Sequence, residues 1–324
     1  MPTVRDVSLF AITAVREKRN VPKSLTWLLV MCSIGLFGFD APRDTQGIGV
    51  LVLAHGGSAR WNRLVQETVE QAKLGHPTAI AFGMGMHPHE VRGLQQAIDT
   101  LEARGVDRII IVPLLVSSAS EVMRQFQYLL GVHDHGPWED HTKPVSLRVP
   151  VIITQPLDDD PVVAEVLFDR ARELSHAPQE ETVVVVAHGP ISDEDNAHWL
   201  AAMGRVAKQI QEMGHFRAVI PVTMRDDASK PVRDAAIRQM RAIIREQSQQ
   251  GRTLVVPRLL ANGGIESMIP KRLNRLHYVY RGRTLLPHAK LAQWIAHQVA
   301  TATLSAPRTD ARAAMDRPEP AHVQ

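Results

Sequence analysis

Two histidines and two glutamates stand at matched places in this chain and define the chemistry open to it. Ala54-His55-Gly56 reappears as Ala187-His188-Gly189. Leu114-Leu115 followed by Glu121-Val122-Met123 reappears as Leu259-Leu260 followed by Glu266-Ser267-Met268, at one offset of 145 residues. An imidazole and a carboxylate facing one another across a cleft suit a borderline divalent ion, or form a pair that accepts protons. A lone histidine at a strand end is more often a hydrogen-bonded structural group. Recurrence beside a glutamate is what singles out His55 with Glu121, and His188 with Glu266 reads as a second copy or its degenerate descendant. The single Cys32 excludes a disulfide framework and any cysteine-built zinc or iron–sulfur centre, so metal chemistry here falls to imidazole and carboxylate. A loop at residues 132–143 adds His133, His135 and His141, a further place where a metal could be loaded.

Rival chemistries lack their parts. His55-Gly56-Gly57 would suit an oxyanion loop, but no G-x-S-x-G elbow supplies a nucleophile. Gly83-Met84-Gly85-Met86 runs into His87-Pro88 and lacks the third glycine of a dinucleotide fingerprint, and no phosphate-binding G-x-x-x-x-G-K-[ST] loop occurs. With 37 Lys and Arg against 34 Asp and Glu, a net of +3, there is no basic stripe and no case for a nucleic-acid partner.

The elements that would hold these residues alternate. The continuous apolar run at 48–54 predicts a strand buried on both faces, and further strands are expected at 78–82, 108–112 and 147–154, with helices at 60–74 and, amphipathic, at 88–104. The order then recurs: strands at 182–187, 218–222, 253–256 and 276–279, helices at 193–213 and 232–247, and a terminal helix at 287–303. The expected fold is α/β, two similar doubly wound halves with parallel sheets, arisen by internal duplication, with a ligand cleft between them. The first half spans residues 48–176 and the second 177–304, joined by a linker at 157–181. Residues 305–324 read as a disordered tail. Residues 1–47 read as a leader: a basic stretch precedes residues 25–39, fifteen residues without charge. That is short for a membrane span and nearer to a signal-peptide core. Export, or membrane association through 25–39, stands beside the reading of a buried helix in a cytoplasmic protein.

On these blocks the chain resembles the class II tetrapyrrole chelatases, in particular the CbiX/SirB group of sirohydrochlorin cobalto- and ferrochelatases. The resemblance is carried by LVLAHGG at 51–57, IIIVPLLVSSASEV at 109–122 and TQPLDDDPVVAEVLFDRARE at 154–173, with VVVVAHG at 183–189 and VVPRLLANGGIES at 255–267 repeating the first two. It covers residues 48–304. One departure is plain: the group usually places a second histidine where this chain has Glu121 and Glu266, whereas protoporphyrin ferrochelatases, on the same fold, use a histidine with a glutamate.

The resemblance implies a lyase that inserts Co²⁺, Fe²⁺ or Ni²⁺ into a tetrapyrrole on the way to cobalamin or siroheme. His55 and Glu121 would bind the metal and accept the pyrrole protons, with His188 and Glu266 as second-half equivalents. Arg60, Arg63 and Arg124 would bind the substrate's carboxylates. The partners are then a tetrapyrrole and a divalent ion, with no cofactor beyond that metal substrate. A chain of two halves can close its cleft as a monomer. The alternative is a non-catalytic metal- or tetrapyrrole-binding protein on the same fold.

Overall fold

The computed structural model describes residues 47–83, 87–133, 138 and 141–305. The expected leader and most of the expected tail lie outside these residues. Among the described residues no helix is long and apolar enough to cross a membrane.

Among the described residues the strands and α-helices follow in this order: β1 (Ile48–Ala54), α1 (Ala59–Gln71), β2 (Thr78–Phe82), α2 (Pro88–Glu102), β3 (Arg108–Leu114), α3 (Glu121–Leu129), β4 (Val151–Ile153) and α4 (Pro161–Arg172), then β5 (Glu181–Ala187), α5 (Asp193–Gly214), β6 (Ala218–Thr223), α6 (Lys230–Gln250), β7 (Arg252–Arg258), α7 (Ile265–Arg272) and α8 (Ala289–Ser305). They build two all-parallel sheets, ordered β2-β1-β3-β4 and β6-β5-β7. In each, the first strand of its half is central, so helices must cover both faces.

The two-residue period of the strands sorts the core into layers. In β1, Val50, Val52 and Ala54 face one cluster, while Leu51 and Leu53 face another. In β5, Val183, Val185 and Ala187 join that same first cluster, and Val184 and Val186 face a third. One apolar layer is therefore shared by both sheets. It is filled by α1, α4, α5 and α8, through side chains such as Val65, Leu167, Met203 and Ile295. The outer faces are covered separately, by α2 and α3 on the first sheet and by α6 and α7 on the second.

The closing helices are exchanged. α4, which ends the first half, packs on α5 and β7, and α8, which ends the second, packs on α1 and β3. The expected linker at 157–181 thus contains α4, with Val163, Ala164, Val166 and Leu167 fully buried. Asp160-Pro161 is a helix start: Asp160 Oδ1 accepts the Val162 N–H and proline takes the first helical position, where no N–H is missed.

Three prolines sit inside strands rather than ending them. Pro113 lies opposite Leu53 in β3, Pro221 opposite Val185 in β6, and Pro257 opposite Val186 in β7. All are tolerated for the same reason. β4 pairs only with Ile109–Ile111, and β6 and β7 are edge strands, so a residue without N–H can face an open side. The strand expected at 147–154 starts only at Val151, after Pro150. The strand expected at 276–279 is reduced to one bridge, Leu254 with Val279.

Candidate functional site

His55 and His188 follow the last residues of the two central strands, at the carboxyl edge where parallel α/β sheets bind ligands. The glycine after each is required by the backbone. Gly56 has φ +82° and Gly189 φ +79°, a region that side chains disfavour. A Cβ on Gly189 would meet Thr223 Cβ at 2.7 Å, and one on Gly56 would meet Phe82 Cβ at 3.2 Å. The repeated His-Gly is therefore the turn by which the chain leaves the sheet past the neighbouring strand end.

That turn also orients both imidazoles. The Gly56 carbonyl lies 2.7 Å from His55 Nδ1, and the Gly189 carbonyl 3.0 Å from His188 Nδ1. A carbonyl only accepts, so Nδ1 carries the hydrogen and Nε2 presents its lone pair. Both histidines line one cavity of about 810 Å³, with walls drawn from both halves.

Glu121 lines the same cavity as the first residue of α3, whose N-terminus is capped by the Ser120 hydroxyl accepting the Met123 N–H. Its carboxylate accepts a hydrogen bond from Arg124 Nη2 at 3.1 Å. Arg124 in turn donates to Asp195 in the first turn of α5, Nη1 to Oδ1 at 3.0 Å and Nη2 to Oδ2 at 2.9 Å. Arg124 holds the Asp195 carboxyl below its usual range, and Asp195, with a smaller contribution from Glu121, holds the guanidinium in its charged form. Beside this bridge the Trp199 indole N–H donates to the Ala119 carbonyl at 2.6 Å. Glu121 is thereby tied to the second half as well as to its own helix.

The second half is not a copy of this arrangement. The strand registers align Pro113 with Pro257; Glu121 lies eight residues past the first, and Ile265 eight past the second. Ile265, the first residue of α7, therefore corresponds to Glu121, and Glu266 is one position out. The Glu266 carboxylate accepts the backbone N–H groups of Gly263 and Gly264 at 3.0 and 2.8 Å. Burial pushes its pKa up, but these N–H bonds outweigh it and hold the group below its usual range. Glu266 caps its own helix and is not the partner of His188. That partner is Asp227, whose Oδ2 lies 3.4 Å from His188 Nε2. Asp226, beside it, accepts from Arg272 Nη2 at 3.0 Å. Both aspartates follow β6 and line the cavity. Their one sequence signal is a pair of acids just past a strand's carboxyl end.

Of the three arginines expected to meet substrate, only Arg124 lines the cavity. Arg60 and Arg63 lie on the exposed side of α1, whose buried side carries Trp61, Val65 and Val69. Arg233, Arg258 and Arg272, all from the second half, line it instead. Arg258 is only 1 % exposed and burial pushes its pKa down to about 10. Its Nη2 donates to the carbonyls of Val116, at 2.9 Å, and Asp158, a second tie between the halves. In the 132–143 loop, His135 lies outside the described residues. Among the described residues no three His, Cys, Asp or Glu side chains are grouped to hold an ion.

Residues 49–174 match the model of the CbiX family. A sirohydrochlorin cobaltochelatase of Methanothermobacter thermautotrophicus is 26 % identical over 135 residues, covering 39 % of this chain and 91 % of that protein. One of Methanopyrus kandleri is 26 % identical over 141 residues, covering 39 % of this chain and 96 % of that protein. Among solved structures, SirB from Bacillus subtilis with Fe³⁺ superposes with a TM-score of 0.57 at 18 % identity, covering 79 % of this chain and 95 % of that one.

Proposed function

We propose that this chain, whose residues 49–174 match the CbiX family model, is a CbiX/SirB-type metal chelatase inserting Co²⁺, Fe²⁺ or Ni²⁺ into a sirohydrochlorin-like tetrapyrrole. The observation that carries the reading is the meeting of His55, His188 and Glu121 around one cavity, each imidazole oriented by the following glycine. The cavity's size falls within the ~300–1,000 Å³ common to small-molecule sites.

His55 Nε2 binds the incoming ion, as a neutral imidazole suits borderline metals. Glu121 sets negative charge against it, and Arg124 keeps that carboxylate in place. Two side chains leave an ion's coordination incomplete. The remaining ligands are water at first and the macrocycle nitrogens at the end, so the ion is loosely held before transfer and passes on readily. Two pyrrole N–H protons leave as it enters. No cofactor beyond the metal substrate takes part. The similar sheets and repeated His-Gly turns favour an internal duplication in which only the first half kept its glutamate in register.

The test is a metallation assay: the purified chain with sirohydrochlorin and Co²⁺, Fe²⁺ or Ni²⁺, followed by absorption spectroscopy. Insertion faster than the protein-free control is expected, with His55→Ala reducing the rate by about 100-fold or more. Uncatalysed rates with tetrapyrrole still bound would overturn the enzyme reading in favour of a binding protein.

A further inference from the structure

The two histidines of the cavity share a backbone turn and a tautomer but not their surroundings. His55 is met by the Gly56 carbonyl and, 6.2 Å away between ring centroids, the indole of Trp61. His188 has a carboxylate before its Nε2, Asp227 Oδ2 at 3.4 Å. We propose that His188 and Asp227 are the proton-accepting pair of the cavity, a division of labour that leaves His55 to hold the ion. The proposal rests on the chelatase reading and adds to it the residues that take the protons.

Metallation has two separate needs. The ion needs a lone pair that stays free until it arrives. The macrocycle needs an acceptor for each N–H proton, while the bonding pair remains on nitrogen and becomes the metal–nitrogen bond. Glu121 suits the second need poorly, because its carboxylate already accepts from Arg124. The second half is better equipped. A pyrrole proton taken by His188 Nε2 makes an imidazolium, with Nδ1–H still on the Gly189 carbonyl; the exposed Asp227 side chain turns aside to admit the pyrrole N–H to Nε2 and closes on the new N–H afterwards. A carboxylate at that distance stabilises the cation directly. The Asp227 side chain is 69 % exposed, so it can pass the proton to water and reset the imidazole for the second. The balance is one divalent ion in, two protons out to solvent, and no change of oxidation state.

The pair is held in place by structure outside it. Arg225 donates to the carbonyls of Pro190 and Ile191, the first at 3.1 Å, and to Asp193, so the loop after His188 is latched to the segment that carries Asp227. The Arg225 N–H also donates to the His188 carbonyl, at 2.6 Å.

The test uses the full chain with sirohydrochlorin and Co²⁺, comparing His188→Ala and Asp227→Asn with His55→Ala. For both second-half variants, kcat is expected to fall by about 100-fold while the KM for Co²⁺ stays near that of the wild type; His55→Ala should raise that KM. A hindered pyridine base such as 2,6-lutidine, which accepts protons but ligates metals poorly, should restore kcat to His188→Ala as its concentration rises and leave His55→Ala unchanged. Wild-type kcat in both second-half variants would overturn the proposal. So would a raised KM for Co²⁺ at unchanged kcat, which would make His188 a metal ligand. Asp227→Asn alters an exposed side chain, so the test does not depend on His188→Ala folding. A wild-type chain that metallates no faster than buffer would instead remove the chelatase reading itself.

Discussion

The Arg124 guanidinium and the Asp195 carboxylate meet as a two-pronged fork, at 3.0 and 2.9 Å, joining α3 of the first half to α5 of the second across the edge of the cavity. Because the same guanidinium reaches Glu121, the position of a proposed catalytic carboxylate depends on a residue 74 positions further along the chain.

Asp195→Asn should weaken this tie. The Arg124 side chain is 42 % exposed, so the loss is discounted for solvent screening to about 1 kcal/mol. The pH dependence follows from the depressed Asp195 value. Its contribution is complete above the unfolded carboxylate range of ~4 and is lost as pH falls through the lower folded value. Urea midpoints of wild type and Asp195→Asn should therefore differ by a constant amount from neutral pH down to about 5 and converge in stronger acid.

The two glutamates separate by function. Glu121→Gln should lower metallation and raise the KM for the metal with little change in thermal midpoint, since the side chain is half exposed. Glu266→Gln should do the reverse, lowering stability by about 1 kcal/mol through its two backbone N–H partners while leaving metallation near wild type. Steady-state kinetics and melting curves on both variants check this.

Replacing either turn glycine should be costly, to unequal degrees. Gly189→Ala combines a positive φ with a Cβ 2.7 Å from Thr223 and should lose about 2–4 kcal/mol. Gly56→Ala meets its neighbour at 3.2 Å and should lose about 1–2 kcal/mol. Denaturant unfolding of the two variants gives the order.

Ile295 of α8 is fully buried in the layer shared by both sheets. Ile295→Ala should lower stability by about 2–5 kcal/mol. The two halves, residues 48–304, should still unfold in a single transition, which circular dichroism and tryptophan fluorescence would report together.

The sheet was legible because strands buried on both faces must be continuously apolar over their buried length, as in Ile48–Ala54 and the apolar run 183–187 of β5. Proline misled twice in opposite ways. Pro113 reads as a strand's end because the open edge beside it has no mark in sequence. Pro161 reads as part of a linker because a first-turn proline looks the same as a breaker. The histidines were legible through their glycines, whose backbone geometry recurs in both halves. Asp227 was not, because its partnership with His188 exists only after β6 has folded beside β5. Glu266 misled because a local likeness of leucine, glutamate and methionine slipped one residue from the register that strand pairing imposes.

The exchange of α4 and α8 bears on how the chain is made. Translation delivers the first sheet early, yet the helix that covers β3 beside α1 comes from its far end. Until Ala289–Ser305 has left the ribosome, the nascent first half has only part of the cover for its inner apolar face, that supplied by α1. A gene split between the halves would leave each fragment with a helix that belongs on the other. Two such fragments could then complete their cores only by finding one another.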